Sequence, residues 1–378
     1  MEWTHTMLNY DKQSGQALVL AIVVLSMGTT LFLALFNISM AVKEKIHLQS
    51  SADLAVLTAL NIQANALNAL AMGNRAILSN EAMAAQANAL VSEAAFYRKL
   101  IEGFGRILKA VPSTGPILGE LLIKGGQALE TLARRGAGVL TPYAWTCNAL
   151  LETERELIRK TLPLVSLKKA VEITAANAPR ASISFPAQVQ LANQAYNLGK
   201  AISPLSEEEM RRILHRTLDP RTLRRNWSFG AGSLPFSVRK RGGSSIPADD
   251  FYAWDRLSIQ TLKRFRLRWK TVVDTSSRAS AFGYRSHKKL MDLNGEDLHL
   301  GLTLVLQSNL PPVSSGLTGT KRTFIALSSG ELYYRRPDKP SERPNLLNPF
   351  WRSRLIPVSS EKTAGRIIPH LFLKEIKH

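Results

Sequence analysis

The sequence predicts an α+β protein: a single N-terminal transmembrane helix that continues into a long helix, a helical middle region, and a C-terminal antiparallel β-rich domain. Three observations lead to this fold class. Residues 13–42 contain no charged side chain. The residues that follow are rich in Ala and Leu, with no proline before Pro112. After about Arg225, apolar residues recur at every second position, which is the period of a half-buried strand.

The uncharged N-terminal run is long enough to cross a membrane. A helix from Ala17 to Val42 would be about 39 Å long, and the hydrocarbon core of a bilayer is about 30 Å thick. A cleaved signal peptide is the alternative, because Ser39-Met40-Ala41 offers the small residues of a cleavage site. Its apolar region, however, normally covers only about 7–15 residues. We therefore expect a retained transmembrane helix over residues 16–42.

Small and polar residues lie within this helix and at its start. Ser26, Gly28 and Thr29 cluster near its middle, where small residues permit the close approach of a second helix in lipid. Together with Gly15 and Gln16 they form the predicted helix-packing set. The alternative is that the membrane helix simply tolerates them.

The composition of residues 43–110 predicts a long helix of low charge. Asn61, Asn65 and Asn68 recur at helical spacing on one stripe, although asparagine is a poor helix former. A row of uncharged amides suits an interface in which the amides hydrogen-bond to a facing surface. We expect this stripe to contact a partner protein; the alternative is that the helix covers the chain's own C-terminal domain.

The sequence predicts a helical region over residues 111–225. A break at Pro112–Pro116 separates it from the long helix before it. Ser206 is a candidate N-cap for a helix that ends near Leu218, and the acidic residues after it suit the positive end of the helix dipole. The other helices are expected over residues 117–135, 144–175 and 187–199, with a short apolar strand or turn between Pro179 and Pro186.

The sequence of residues 226–378 predicts a basic β-rich domain with one twisted antiparallel sheet of four to six strands. Apolar and basic residues alternate from Leu257 to Lys270, which is typical of one half-buried strand. Ser328-Ser329-Gly330 predicts a hairpin turn. The other strands are expected over residues 279–285, 301–307, 323–328 and 331–336.

The basic residues of the alternating segment form a candidate polyanion-binding face. Alternate residues of a strand lie about 6.6–7 Å apart, which is close to the phosphate spacing of a single nucleic-acid strand. Phe265 and Trp269 fall on the opposite face and could not stack bases there. This favours a generic polyanion over a nucleic acid, with a merely solvated face as the alternative. The four residues are Arg264, Arg266, Arg268 and Lys270.

The charge of the chain is strongly asymmetric. The net charge is +20; residues 1–199 hold 17 Lys and Arg against 13 Asp and Glu, whereas residues 200–378 hold 32 against 16. An excess of this kind suggests contact with a polyanion, although a solvated basic surface explains it equally well.

The search for chemistry predicts a protein that is not an enzyme and needs no cofactor. The seven histidines show no metal-ligand spacing and no nucleophile motif. Asp274-Thr275-Ser276-Ser277-Arg278 approaches an Asp-x-Ser-x-Ser metal motif, but Arg278 occupies the last required position. Cys147 is the single cysteine, so an intrachain disulfide is excluded. No catalytic or metal-binding residues are assigned.

Several motifs resemble the TadE/TadG-like group of Tad/Flp pilus-assembly proteins. Residues 14–20, SGQALVL, open the apolar helix, and residues 49–59, QSSADLAVLTA, resemble the polar helix that follows it in that group. Residues 73–77, GNRAI, resemble members with a long helical ectodomain. Residues 333–337 and 344–352 resemble the C-terminal tails of the same group.

The resemblance implies a single-pass inner-membrane protein with residues 1–15 in the cytoplasm and its C-terminal region in the periplasm. Lys12 before the helix and Lys43 after it leave the orientation undecided by charge alone. Prepilins carry a glutamate at the position that Leu20 occupies, counting from Gly15. We therefore expect an uncleaved anchor.

The function that follows is a membrane-anchored, non-enzymatic structural component of Tad/Flp (type IV-like) pilus assembly or secretion, of pseudopilin type. Its partners would be pilus or secretion-platform proteins, and the sequence leaves the oligomeric state open. The alternative is a bitopic envelope binding or adhesion protein whose basic C-terminal domain engages a polyanion or DNA.

Overall fold

Two long helices form the spine of the protein. In the computed structural model, α1 runs Thr4–Lys109 and α2 runs Gly115–Asn177. With 106 residues, α1 is about 160 Å long at about 1.5 Å per residue. The predicted long helix and the break that follows it are confirmed. The residues that the structure describes are 4–229, 236–245, 252–263, 268–280, 290–293, 300–310 and 322–358.

The helix α2 is continuous where the sequence predicted two helices, over 117–135 and 144–175. Pro142 and Pro163 lie inside it, and Gly136 and Gly138 do not end it. The prediction of a break was wrong because α2 packs along α1, and tertiary packing outweighs the local cost of glycine and proline.

The two helices run antiparallel and approach most closely near their connection. A Cβ atom added to Gly105 would lie 2.7 Å from the carbonyl oxygen of Gly119. Farther along, Nδ2 of Asn80 donates to Oδ1 of Asn148 at 2.8 Å. Small residues and matched amides thus join the helices into one hairpin.

Among the described residues, three shorter helices follow α2: α3 (Phe185–Ala201), α4 (Glu207–Thr217) and α5 (Pro220–Leu223). Ser206 is the N-cap of α4, where its Oγ accepts from the backbone N–H of Glu209 at 3.3 Å. The predicted cap and the predicted end of this helix are confirmed.

The described strands form two four-stranded sheets, ordered β1-β8-β9-β10 and β3-β4-β5-β6, and a two-stranded ribbon, β2-β7. Each pairing between them is antiparallel. β1 lies between Pro179 and Pro186, where the sequence predicted a short apolar strand or turn, and β2 lies in the region predicted as helical. The strands are β1 (Ala181–Ile183), β2 (Ile202–Pro204), β3 (Trp227–Phe229), β4 (Phe236–Ser245), β5 (Tyr252–Lys263), β6 (Arg268–Ser280), β7 (Met291–Leu293), β8 (Gly301–Leu310), β9 (Arg322–Tyr334) and β10 (Trp351–Ile356).

The predicted single strand from Leu257 to Lys270 is wrong. β5 ends at Lys263, β6 begins at Arg268, and these two residues face each other in an antiparallel pair. Alternation with period two continues through both arms of a hairpin, so the pattern alone could not locate the reversal.

The predicted hairpin turn at residues 328–330 is also wrong, because these residues lie inside β9. The strands expected over 323–328 and 331–336 are therefore one strand. The strand expected over 301–307 is present as β8, and β10 was not predicted. Of the strand expected over 279–285, β6 includes residues up to Ser280, and 281–285 lie outside the described residues.

The largest apolar core lies between α1 and the sheet β1-β8-β9-β10. Val56, Leu60 and Leu67 of α1 are fully buried there, together with Leu304 and Leu306 of β8. The half of α1 that follows the apolar run is therefore a core element of the folded domain.

Gly330 lies in β9 where the sheet presses against α1. A Cβ atom added there would lie 2.7 Å from Cδ1 of Leu60 and 2.9 Å from Cγ1 of Val56. We expect Gly330→Ala to lower the free energy of unfolding by about 1–3 kcal/mol, the usual cost of overpacking. Urea titration of the detergent-solubilised chain, followed by circular dichroism, measures it.

The matched control is Gly301→Ala in the neighbouring strand. A Cβ atom there would come no closer than 3.8 Å, to the carbonyl oxygen of Gly330. Equal losses of stability for the two variants would contradict the overpacking argument.

Candidate membrane anchor and assembly surface

The N-terminal part of α1 is an exposed apolar helix. Leu18, Leu25 and Phe32 are 65%, 74% and 68% exposed, and the most apolar window of the helix buries none of its residues within the protein. Among the described residues, α1 is the one helix long and apolar enough to cross a membrane. An exposed apolar surface of this kind marks a site of contact with a membrane or with another protein.

The polar side chains in this segment are satisfied within the helix. The hydroxyl of Ser26 donates to the carbonyl of Val23 at 2.9 Å, and that of Thr29 donates to Leu25 at 2.7 Å. Hydroxyl groups that are bonded in this way carry a smaller desolvation cost in lipid. These residues are therefore compatible with a membrane helix.

The predicted helix-packing set lies on this exposed segment. Gly28 has open space where a Cβ atom would lie, and Gln16 is exposed. Gly15 lies within α1. Ser26 and Thr29 are exposed as well. The role of the set in contacting a second helix stays a prediction.

The folded domain begins directly after the apolar run. Nζ of Lys45 donates to the carbonyl of Ile325, and Nε2 of Gln49 donates to the carbonyl of Leu327 at 2.9 Å. Gln49 also donates to Oδ1 of Asp53 at 3.0 Å. Lys45 and Gln49, the first residue of the 49–59 motif, therefore attach α1 to β9.

The amide stripe of α1 faces β10 of the same chain. Oδ1 of Asn68 accepts from the backbone N–H of Trp351 at 2.9 Å, and Nδ2 of Asn68 donates to its carbonyl at 3.0 Å. Oδ1 of Asn61 accepts from the hydroxyl of Ser353 at 2.6 Å. Asn65 is exposed. The amides of Asn61 and Asn68 thus bond within the chain, and a partner contact stays a prediction for the stripe.

Asn74, within the GNRAI motif, makes four hydrogen bonds in a fully buried position. Its Nδ2 donates to the carbonyls of Met291 and Leu346 at 2.7 and 2.6 Å. Its Oδ1 accepts from the backbone N–H of Met291 at 3.2 Å and from the guanidinium of Arg155. Because an amide has two donor and two acceptor positions, Asn74 is saturated.

Arg155 reaches Asn74 from α2 and is only 1% exposed. Burial lowers the pKa of its guanidinium, because desolvation disfavours the charged form. Gly73 makes room for the side chain, since a Cβ atom there would lie 3.1 Å from Cδ of Arg155. The glycine and the asparagine of the motif therefore have distinct packing roles.

The tail segment 344–352 packs onto α1 as an ordered loop. Oδ1 of Asn345 accepts from the backbone N–H groups of Leu347 and Asn348 at 3.0 and 3.1 Å. Nε1 of Trp351 donates to the carbonyl of Asn345 at 3.0 Å, and the Trp351 ring packs edge-on against Tyr334. The GNRAI motif and this tail thus meet in the fold.

Asp292 supports the same junction. Its Oδ1 accepts from the backbone N–H of Leu346 at 2.9 Å. Burial raises the pKa of its carboxyl, and the negative charge of Glu209 adds to this effect, while the hydrogen bonds from Leu346 and Leu293 oppose it.

A buried group of charges joins the second sheet to α1. Asp255 is fully buried, and its carboxylate accepts from Arg225 Nε at 3.1 Å and from the Ser92 hydroxyl at 2.7 Å. Nζ of Lys240 lies 2.7 Å from Oε1 of Glu93 and 3.6 Å from Oδ1 of Asp255. The two positive and two negative charges balance, so the cluster is a structural junction.

The predicted polyanion face is only partly described. Arg264 and Arg266 lie outside the described residues, whereas Arg268 and Lys270 lie on β6, opposite Lys263 and Thr261 of β5. The argument from equal phosphate spacing required one continuous strand, so it does not extend from 264 to 270. A polyanion-binding role for these residues stays a prediction.

The described residues contain no group of three or more His, Cys, Asp or Glu side chains arranged to bind a metal ion. Cys147 is free and partly buried. The arrangement of the described residues is that of an exposed apolar helix attached to a packed helical and β-rich domain.

Comparison with known proteins identifies the N-terminal segment. Residues 15–72 match the model of the Tad family, described as Flp pilus-assembly TadE/G-like. The resemblance predicted from the SGQALVL and QSSADLAVLTA segments is thereby confirmed, and it supports a pilus-related role in general. The similarity of residues 73–77 and of the tail falls outside the match and stays a prediction. No curated protein and no solved structure matches the chain.

Proposed function

We propose that the protein is a membrane-anchored structural component of Tad/Flp pilus assembly or secretion, without enzymatic activity. One observation carries the proposal: the segment that matches the pilus-assembly family, residues 15–72, includes the exposed apolar helix and the part of α1 on which β8, β9 and β10 pack. The anchor and the folded domain are therefore one structural unit.

In the proposed arrangement, residues 16–42 span the inner membrane and residues 1–15 lie in the cytoplasm. From Val42 to Lys109, α1 would extend about 100 Å into the periplasm. The contacts of Lys45 and Gln49 with β9 support a short distance between membrane and sheet. Leu20, in place of the prepilin glutamate, supports an anchor that is not processed.

Deletion of the gene should abolish or strongly reduce pili, because the proposed role is structural. In the deletion strain, the Gly28→Ile variant should reach the normal protein level but should not restore full piliation. A bulky residue on the open face of the membrane helix would block the approach of a second helix. Immunoblotting and electron microscopy measure the two quantities.

The matched control is Val24→Ile, one turn away on the same exposed segment, where a branched residue is already present. Full piliation after gene deletion would overturn the proposal. If Gly28→Ile and Val24→Ile both restored full piliation, the helix-packing part would be wrong while the structural role remained.

The alternative function, an envelope binding protein with a basic C-terminal domain, rests on the charge excess of residues 200–378. Binding of the purified full chain to DNA and to anionic glycans, measured at several salt concentrations, would test it. An affinity that falls steeply with salt would favour this function.

A further inference from the structure

The outer side of α2 exposes a long apolar seam. Of the 15 large apolar side chains that α2 leaves exposed, ten occupy two positions of a seven-residue repeat. The outer seam consists of every seventh residue from Leu118 to Leu167 and from Leu122 to Val171. Fifteen residues distributed evenly would place about four in two of seven positions, so the pattern is not incidental.

The most regular part of the outer seam spans five successive repeats. Tyr143, Leu150, Leu157, Leu164 and Val171 are 61%, 67%, 61%, 69% and 42% exposed. Side chains this exposed gain little from packing within their own chain. No contact within the described part of the protein therefore explains why these exposed side chains are apolar.

The opposite side of α2 shares the same period. Thr141, Asn148, Arg155 and Leu162 are buried at seven-residue spacing in the middle of the helix. A strict seven-residue repeat indicates a left-handed supercoil. The buried side and the outer seam of α2 both follow the seven-residue repeat, so the outer seam faces away from α1 along its whole length. A second seam with the same repeat could therefore contact it from end to end.

Two glycines within the outer seam point to a close neighbour. Gly125 and Gly136 have nothing within 4 Å of an added Cβ atom, so no described residue of the chain requires their small size. Glycine in a helix interior costs about 1 kcal/mol relative to alanine. Packing against another helix, whose backbone glycine allows to come close, would offset this cost.

The two threonines of the seam are also compatible with packing. The hydroxyl of Thr146 donates to the carbonyl of Pro142, and that of Thr153 donates to Ala149, both at 3.0 Å. With the hydroxyl groups satisfied inside α2, the methyl groups can contact an apolar neighbour.

We infer that the outer seam packs against the same seam of a second copy of this chain, in parallel and in register. A partner must present an apolar seam of seven-residue period about 80 Å long, and this chain itself carries one. Stable interfaces involve about 20–30 residues on each side, a number that the 16 seam residues and their neighbours reach. The parallel orientation rests on the proposed function, because two chains anchored in one membrane have parallel α2 helices.

Lys160 is the single charged residue of the outer seam. Its Nζ lies 3.4 Å from Oε1 of Glu156 in the same helix, which partly compensates its charge. One lysine in an otherwise apolar seam fixes register and chain number while reducing stability. The pairing is therefore specific, and weaker than a fully apolar seam would give.

Cysteine crosslinking of the full-length chain in native membranes tests the inference. In a Cys147→Ser background, single variants Leu150→Cys, Leu157→Cys and Leu164→Cys should each form a disulfide-linked dimer on mild oxidation. Thr131→Cys, which is exposed but off the seam, is the control and should give several-fold less dimer. No excess of dimer over this control would overturn the inference. Crosslinking by only one of the three variants would place a two-fold axis at that residue, which would indicate an antiparallel pair and overturn the parallel arrangement.

Sedimentation of the purified chain in detergent gives an independent measurement. Lys160→Leu should strengthen dimerisation at least several-fold, and Leu157→Lys should weaken it by a similar factor, with unchanged helix content. A monomer at all concentrations, or a dimer insensitive to both changes, would contradict the inference. Membrane fractionation of the same cells checks anchoring separately, so a membrane-bound chain that does not crosslink overturns the seam pairing and leaves the proposed function standing.

Discussion

Asp255→Ala should lower the free energy of unfolding by about 3–5 kcal/mol, the usual cost of leaving buried charges without their partner. The substitution removes the carboxylate that pairs with Arg225 and accepts from the Ser92 hydroxyl, and it removes one of the two carboxylates near Lys240. Arg225 and Lys240 are 9% and 2% exposed, so water cannot readily replace the lost carboxylate.

Chemical denaturation of the detergent-solubilised chain measures this effect, and hydrogen exchange locates it. Protection should fall most in β4, β5 and the part of α1 around Ser92, because the cluster joins these elements. The matched control is Asp338→Ala, an exposed carboxylate paired with Arg336, which should change stability little. A similar small effect for Asp255→Ala would show that the cluster does not stabilise the junction.

Asn74→Ala should lower the free energy of unfolding by about 3 kcal/mol or more. The change leaves both backbone groups of Met291, the carbonyl of Leu346 and the guanidinium of Arg155 without their amide partner. Each buried polar group left unpaired costs about 1–3 kcal/mol. The result is measured as a shift of the urea midpoint at unchanged slope.

Asn65→Ala is the matched control on the same helix, because Asn65 is an exposed asparagine. A surface substitution of this kind should change stability by no more than about 0.5 kcal/mol. If the two alanine variants unfolded at the same urea concentration, the four hydrogen bonds of Asn74 would not contribute to the free energy of unfolding as described.

Local patterns in the sequence were sufficient for the features with a strong single period. The uncharged run, the continuous helix to Lys109, the break near Pro112 and the cap at Ser206 each have a local cause, and the structure confirms them. The motifs at residues 14–20 and 49–59 together indicated a similarity to the TadE/TadG-like group, and the match over residues 15–72 confirms it.

Local patterns failed where a residue's role depends on a distant neighbour. Gly330 was predicted as part of a turn, but it is small because Leu60 and Val56 of α1 press against it. Pro142 lies between the two helices predicted over 117–135 and 144–175, but packing along α1 keeps α2 continuous there. In both cases the deciding contact joins residues far apart in sequence.

The sequence by itself determined that the chain has one exposed apolar helix, a long continuation of it and an antiparallel β-rich part. These features follow from hydrophobic periodicity and backbone propensity, which are local properties. Only the tertiary structure decided that Asn61 and Asn68 bind β10, that Asn74 joins the tail to Arg155, and that the apolar seam of α2 remains exposed. The physical reason is that a hydrogen-bond donor or an apolar stripe has no assigned partner until the chain folds and brings distant residues together.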